Sequence, residues 1–93
     1  MKTPPSELAL PPTVTQAEKA MEMVRVWIVD GDQHVVISPN LWKDPAAWGL
    51  MLVDLARHVA AAYKAQGNDP QVVLQRIRDA FDAEWKTPTG KLD

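Results

Sequence analysis

Asp54 and His58 have the spacing of a metal-ligand pair on one predicted helix. The two side chains are four residues apart, which places them on the same side of a helix, one turn from each other. A metal site needs a third ligand, and the only further donors are His34 and either Asp30 or Asp32 of a predicted hairpin. Because the chain has no cysteine, we expect a surface hydrogen bond or ion pair between Asp54 and His58, no metal and no cofactor.

Catalytic residues have equally little support. Ser6 and Ser38 lack the glycine-flanked turn that exposes a catalytic serine, and the glycines are isolated instead of forming a phosphate-binding loop. His58, oriented by Asp54, would act as a general base only in a pocket that also holds His34. We therefore expect that the chain is not an enzyme. The alternative is a small ligand-binding or catalytic protein that uses the region of His34, Asp54 and His58.

The length and charge of the chain restrict its class. Ninety-three residues are enough for one small domain. The net charge of −2, with acidic and basic residues interspersed, argues against nucleic-acid binding, which requires a basic surface. The apolar runs are far shorter than the ~18 residues that span a membrane. With no cysteine and no signal peptide, a cytoplasmic location is expected.

Prolines mark the start of the chain. Residues 1–12 contain two Pro-Pro pairs, which disfavour helix and predict a flexible arm. Residues 13–87 are expected to form a single α+β domain, followed by a flexible tail over 88–93. Thr15 and Glu18 fit a capping box, which predicts a short helix from Thr15 to about Met23.

A β-hairpin is predicted next. Residues 24–29 and 34–38 are rich in β-branched side chains, and Asp30, Gly31 and Asp32 between them are typical of a turn. A turn at Gly31-Asp32, or a four-residue loop from Asp30 to Gln33, would pair Ile28 with Val35.

The alternative register has its turn at Asp30-Gly31 and places Trp27 opposite His34. The first register is preferred because it gathers an aliphatic face. This face consists of Val24, Val26, Ile28, Val35 and Ile37.

Two long helices complete the predicted fold. Asp44-Pro45 is a typical helix start, and Gly67 a typical stop. Asp69-Pro70 begins the last helix, which ends before Thr87. The short loop predicts an antiparallel helical hairpin packed on one face of the sheet. Gly49 is expected to meet Trp42 or a strand packed flat against the helix. Five residues are expected to be nearly fully buried: Leu52, Leu55, Val59, Ile77 and Phe81.

Three segments together resemble a known family. They are Leu-Trp-Lys-Asp-Pro-Ala-Ala-Trp-Gly at residues 41–49, Val-Asp-Leu-Ala-Arg-His-Val at residues 53–59 and Phe-Asp-Ala-Glu-Trp at residues 81–85. This combination is similar to a family of small bacterial proteins of unknown function, and the match covers about residues 20–86. The resemblance implies a compact bacterial domain and carries no activity.

The second face of the predicted hairpin is the candidate interaction site. It carries Trp27 beside charged or polar side chains, and Trp and Arg are common anchors of protein interfaces. Its residues are Arg25, Trp27, Val29, His34 and Val36. We expect a non-enzymatic interaction or assembly module that forms a homodimer through the hairpin, with an unidentified protein partner as a further option. The competing expectation is that the first helix, or Leu8 and Leu10 of the arm, covers Trp27 within the monomer.

Overall fold

A computed structural model describes residues 3–90 and divides the chain into two compact units. The first unit, up to Leu41, contains α1 (Pro12–Gln16), β1 (Val24–Val29) and β2 (Asp32–Ile37). The second, from Trp42 onward, contains α2 (Ala46–Ala65) and α3 (Pro70–Lys86), which pack against each other. This element order confirms the predicted α+β class with a short helix, a β-hairpin and a helix pair. The predicted packing of the helix pair on a sheet face stays a prediction.

Helix α1 begins and ends earlier than predicted. Pro12 occupies the first turn of α1, where the fixed φ of proline suits a helix. Backbone N–H groups in the first turn have no acceptor within the helix, so the missing N–H of proline removes no hydrogen bond. The hydroxyl of Thr15 donates to the carbonyl of Pro12 at 3.0 Å, so Thr15 lies inside the helix. Ala17 returns to extended backbone with φ −76° and ψ 149°. The predicted capping box, and a helix reaching Met23, are therefore wrong.

The hairpin adopts the register that the sequence analysis did not prefer. Strands β1 and β2 are antiparallel, with Trp27 opposite His34 and Val26 opposite Val35. Asp30 and Gly31 form the turn with φ values of 49° and 88°. Two consecutive positive φ values are the signature of a type I′ turn, whose twist matches that of the two strands.

The turn decides the register because the two faces of the sheet do not distinguish the alternatives. Between the two registers, the partner of any β1 residue shifts by two positions along β2. Side chains alternate between the faces of a strand, so a shift of two positions leaves every side chain on its original face. The aliphatic face (Val24, Val26, Ile28, Val35 and Ile37) therefore exists in both registers. The opposite face, the Trp27 face, likewise keeps its predicted members: Arg25, Trp27, Val29, His34 and Val36.

Local capping explains the ends of both long helices, as predicted. The Asp44 carboxylate accepts a hydrogen bond from the Ala46 N–H at 2.9 Å, and Asp69 accepts one from Gln71 N–H at 2.9 Å. Gly67, with φ 96°, donates its N–H to the carbonyl of Lys64 at 3.0 Å and ends the first of the two helices. Over residues 3–90, neither helix has the long apolar run that crossing a bilayer would require.

Packing of α2 on α3 does not by itself bury the predicted core. Ala60 is 2% exposed, whereas Leu52, Leu55, Val59 and Phe81 are between 38% and 51% exposed, and Ile77 is partly buried. Two helices meet along a single line, and small side chains on that line let them approach closely. Ala60 occupies such a position, so the larger apolar residues flank the contact and stay about half accessible.

Trp42 does not cover Gly49. A Cβ atom added at Gly49 would have no neighbour within 4 Å, and the alternative of a strand packed against the helix there stays a prediction. Trp42 instead forms an edge-to-face pair with Trp48, with ring centroids 5.0 Å apart.

Candidate interaction site

An open groove of about 440 Å³ lies beside β1 in the first unit. Residues 6–11 of the arm and residues 24–27 are among those that line it. Trp27 lines this groove and is partly buried. Leu8 and Leu10 also line it but are 92% and 63% exposed, so they do not seal the groove. The arm thus shields Trp27 in part and keeps most of its own leucine surface in solvent.

Arg25, on the Trp27 face, has a partner within its own chain. Its Nε atom donates to Glu22 Oε1 at 2.6 Å, and its Nη2 atom donates to Oε2 at 3.0 Å. The hydrogen bond from Arg25 lowers the pKa of Glu22. The bond to Glu22 and the charge of that carboxylate raise the pKa of Arg25, with a further contribution from the charge of Glu7. Because both side chains are exposed, these two hydrogen bonds orient the Arg25 guanidinium more than they stabilise the fold.

The remaining members of the Trp27 face are accessible. Val29 and Val36 are exposed, and Val36 shows 65% of its surface to solvent. His34 is exposed as well. The structure therefore brings the five predicted interface residues onto one face, with Arg25 and Trp27 partly engaged within the chain and the other three open.

The aliphatic face is exposed too. Val26, Ile28, Val35 and Ile37 each show at least half of their surface, and Ile28 reaches 68%. All six residues of β2 are exposed. A two-stranded sheet with apolar side chains exposed on both faces is marginal by itself in water.

The outer edge of β2 presents backbone groups beside these side chains. Ser38 N–H donates to the Met23 carbonyl at 2.9 Å, which makes Met23 and Ser38 a hydrogen-bonded pair at the open end of the ladder. Hydrogen-bonded and non-bonded pairs alternate in an antiparallel ladder. The N–H and C=O groups of Gln33, Val35 and Ile37 therefore point away from β1. Such an edge can pair with another chain.

The second unit exposes an apolar row along α2. Leu52, Leu55 and Val59 follow helical spacing, and we refer to them as the α2 stripe. At about 100° per residue, the stripe lies roughly 100° around the helix from the buried Ala60. Packing of the two helices against each other therefore leaves the α2 stripe largely uncovered.

Two aromatic pairs add to the apolar surface of this unit. Trp42 pairs with Trp48, and Phe81 stacks on Trp85 with centroids 5.6 Å apart. Trp85 is 76% exposed and, with Pro88, lines an open hollow of about 670 Å³. The i, i+4 spacing of Phe81 and Trp85 is a sequence signal for this stacking.

Asp54 and His58 form the predicted surface pair. His58 Nδ1 lies 2.9 Å from the Asp54 carbonyl oxygen and 3.5 Å from Asp54 Oδ2, and both side chains are more than 70% exposed. Among residues 3–90, no three His, Cys, Asp or Glu side chains cluster as a metal site would require. His34 belongs to the first unit and the other two residues to the second, so a common site of His34, Asp54 and His58 stays a prediction.

Glu84 organises the end of α3, a feature with no evident signal in the sequence. Its Oε1 accepts the Thr89 N–H at 2.7 Å, the Thr89 hydroxyl at 2.9 Å and the Gly90 N–H at 3.3 Å. The bonds from the Thr89 backbone and hydroxyl lower the pKa of Glu84, with a smaller contribution from Gly90. The segment after α3 is thereby tied back to the helix over residues 84–90.

The comparison with protein families matches residues 7–89 to a family described as Domain of unknown function (DUF5076). The chain belongs to this family. It is also similar to a solved structure named "Structure of a putative pyruvate dehydrogenase from the photosynthetic bacterium Rhodopseudomonas palustrus CGA009". The identity is 35% and the TM-score 0.76, over 99% of this chain and 95% of that one. No curated protein sequence matches the chain significantly.

The DUF5076 match includes both the hairpin and the two long helices. It agrees with the predicted membership of a small family of unknown function. The family description assigns no reaction and no ligand.

Proposed function

We propose that this DUF5076 chain is a non-enzymatic assembly module, located in the cytoplasm, that forms a homodimer through its β-hairpin. The observation that carries the proposal is the exposure of β2 along its whole length. Its aliphatic residues Val35, Val36 and Ile37 are open on both faces of the sheet. Large apolar patches are uncommon on monomeric proteins and are typical of surfaces that bind another protein.

The Trp27 face is the proposed centre of this interface. Val29, His34 and Val36 are exposed on it, and Trp27 and Arg25 line the groove together with the arm. A two-fold axis through this face would place each of these residues against the same surface of the second copy.

Catalysis has weaker support. The groove beside β1 and the hollow at Trp85 are both open to solvent, whereas a reaction on a small substrate needs a pocket that encloses it. Asp54 and His58 bind each other on the helix surface, which weakens the alternative of a ligand-binding or catalytic protein around His34, Asp54 and His58. The pyruvate dehydrogenase named for the Rhodopseudomonas structure is not part of our proposal.

Sedimentation equilibrium at micromolar concentration tests the self-association. We expect a dimer for the wild type and at least tenfold weaker association for Val36→Glu, because the variant places a charge in the interface. Ala61→Glu is the matched control, since it adds the same charge at an exposed position of α2. A monomeric wild type, or equal association of the two variants, would overturn the proposal.

A further inference from the structure

We propose that residues 7–10 of the arm are a strap that closes on the outer edge of β1 and becomes a third strand of the sheet. The inference concerns the first unit alone, and it does not depend on the proposed self-association. Closure would place Glu7 beside Arg25 on the Trp27 face and would add Leu8 and Leu10 to the aliphatic face. The strap would cover the edge of β1 and leave the outer edge of β2 for another chain.

The arm already lies beside the edge of β1 that is turned away from β2. Residues 6–11 of the arm and residues 24–27 of β1 line the same groove. Among residues 3–90, all those that line the groove precede Ile28, so β2 does not contribute to it. The arm and β1 are therefore neighbours on the open side of β1, and both belong to the same compact unit.

The outer edge of β1 carries backbone groups that a strap can bind. The hydrogen bond from the Ser38 N–H to the Met23 carbonyl sets the alternation of the ladder. The N–H and C=O groups of Val24 and Val26 consequently point away from β2. Over residues 3–90, no backbone hydrogen bond joins the arm to these groups. The edge beside the arm is thus open within its own unit.

The sequence of the arm has the pattern of an edge strand. Residues 3–11 contain no helix, and Pro11 has extended backbone with φ −67° and ψ 146°. Side chains of an extended chain alternate between two faces. Leu8 and Leu10 therefore share one face, and Glu7 and Ala9 share the other. This alternation matches that of β1, where aliphatic side chains alternate with members of the Trp27 face.

The charge of Glu7 determines which faces come together. Arg25 lies on the Trp27 face, and its pKa is raised mainly by its hydrogen bond to Glu22 and by the charge of that carboxylate, with a further contribution from the charge of Glu7. Opposite charges on one face of neighbouring strands stabilise their pairing. With Glu7 on the Trp27 face, Leu8 and Leu10 extend the aliphatic face.

Closure would stabilise the first unit. Leu8 and Leu10 are 92% and 63% exposed, so this unit does not cover them while the arm stands open. A sheet of two strands is marginal in water, whereas three strands with an apolar face can be stable. Because the arm and β1 belong to one chain, the strap is always present at a high effective concentration.

Amide exchange of the full chain, followed by NMR, tests the strap. In the closed state the arm accepts hydrogen bonds from the Val24 and Val26 N–H groups and slows their exchange. We expect exchange of these two amides to be at least tenfold faster in the double variant Leu8→Ser, Leu10→Ser. Met21→Ser is the matched control, because Met21 lines the same groove outside the arm and is 63% exposed. It should change exchange less than twofold.

Three outcomes would overturn the strap. The first is equally fast exchange of Val24 and Val26 in the wild type and the double variant. The second is an equal effect of Met21→Ser. The third is protection that disappears on dilution, because a strap within one chain does not depend on concentration. Sedimentation of the same samples reports self-association separately, so a monomeric wild type with protected amides removes the proposed dimer and supports the strap.

A second measurement requires no substitution. In the wild type, nuclear Overhauser contacts from the Leu8 and Leu10 methyl groups to those of Val24 or Val26 would support closure on the edge of β1. Contacts of the two leucines with the Trp27 ring would place the arm across the Trp27 face. Contacts with methyl groups of α2 would place it on the second unit. Either of the last two results contradicts the strap.

Discussion

Trp27 lies directly opposite His34 across the hairpin, because Asp30 and Gly31 alone form the turn. The indole and the imidazole therefore share one face, with Arg25 and Val36 as the next pair toward the open end of the hairpin. The position of every residue of the candidate interface depends on two positive φ values in this turn.

Gly31→Ala should lower the free energy of unfolding by about 1–2 kcal/mol, because an L side chain is strained at a φ of 88°. Gly49→Ala is the matched control. It lies within α2, where a Cβ meets nothing within 4 Å, and should raise the free energy of unfolding by about 0.5–1 kcal/mol. Urea denaturation measures both. Equal effects of the two substitutions would show that the turn does not require a positive φ.

Asp69→Ala should lower the free energy of unfolding by about 1 kcal/mol, since it removes the carboxylate that accepts the Gln71 N–H at the start of α3. Asp54→Ala removes the same side chain from an exposed position within α2. It should change the free energy of unfolding by less than about 0.5 kcal/mol. A comparable loss in the two variants, measured in parallel denaturation, would contradict the capping role.

Acidification should release the segment that follows α3. Hydrogen bonds from Thr89 and Gly90 give Glu84 a lower pKa in the folded chain than in the unfolded chain. The stabilisation is therefore complete above the unfolded pKa and is lost as the pH falls through the folded pKa. NMR should show a depressed carboxylate titration, with faster amide exchange at Thr89 and Gly90 at acidic pH. Glu84→Gln should remove this pH dependence; if it persists, another group is responsible.

Leu55→Ala should lower the free energy of unfolding by about 1 kcal/mol, less than the roughly 2–5 kcal/mol that truncation of a fully buried leucine costs. The reason is that packing of α3 on α2 leaves Leu55 51% exposed. Urea denaturation measures the loss, and a loss within the full range would show that a further surface covers Leu55.

Zinc should not bind with an affinity tighter than about micromolar. Asp54 and His58 supply two ligands at most, and within residues 3–90 no third acidic or histidine side chain completes a cluster. Calorimetric titration of the wild type is the direct measurement, with His58→Ala as the control. Stoichiometric binding that disappears in His58→Ala would favour the ligand-binding alternative.

The ends of α2 and α3 could be read from the sequence. Asp44-Pro45, Gly67 and Asp69-Pro70 determine where these helices begin and end, because capping involves neighbouring residues of the chain. The same holds for β1, which forms over residues 24–29 as predicted and has β-branched side chains at four of its six positions. The start of α1 was predicted wrongly at Thr15. The helix begins at Pro12, and the Thr15 hydroxyl donates to the Pro12 carbonyl from a position inside the helix.

The hairpin register required the structure. Periodicity assigns Val26 and Trp27 to opposite faces, and it does so equally in both registers. Only the backbone dihedral angles of Asp30 and Gly31 distinguish them. The membership of the candidate interface was therefore correct even though the pairing of its residues was not.

Burial was decided by tertiary structure alone. The spacing of Leu52, Leu55 and Val59 reveals an apolar row on α2, but periodicity contains no information on which side of that helix its neighbour approaches. Ala60 became the buried position because a small side chain permits close contact between helices, and the leucines were left near the surface. The sequence thus determined which residues are apolar and on which face they lie. The packing of α3 placed Ala60 at the contact between the helices and left the larger apolar residues of α2 beside that contact.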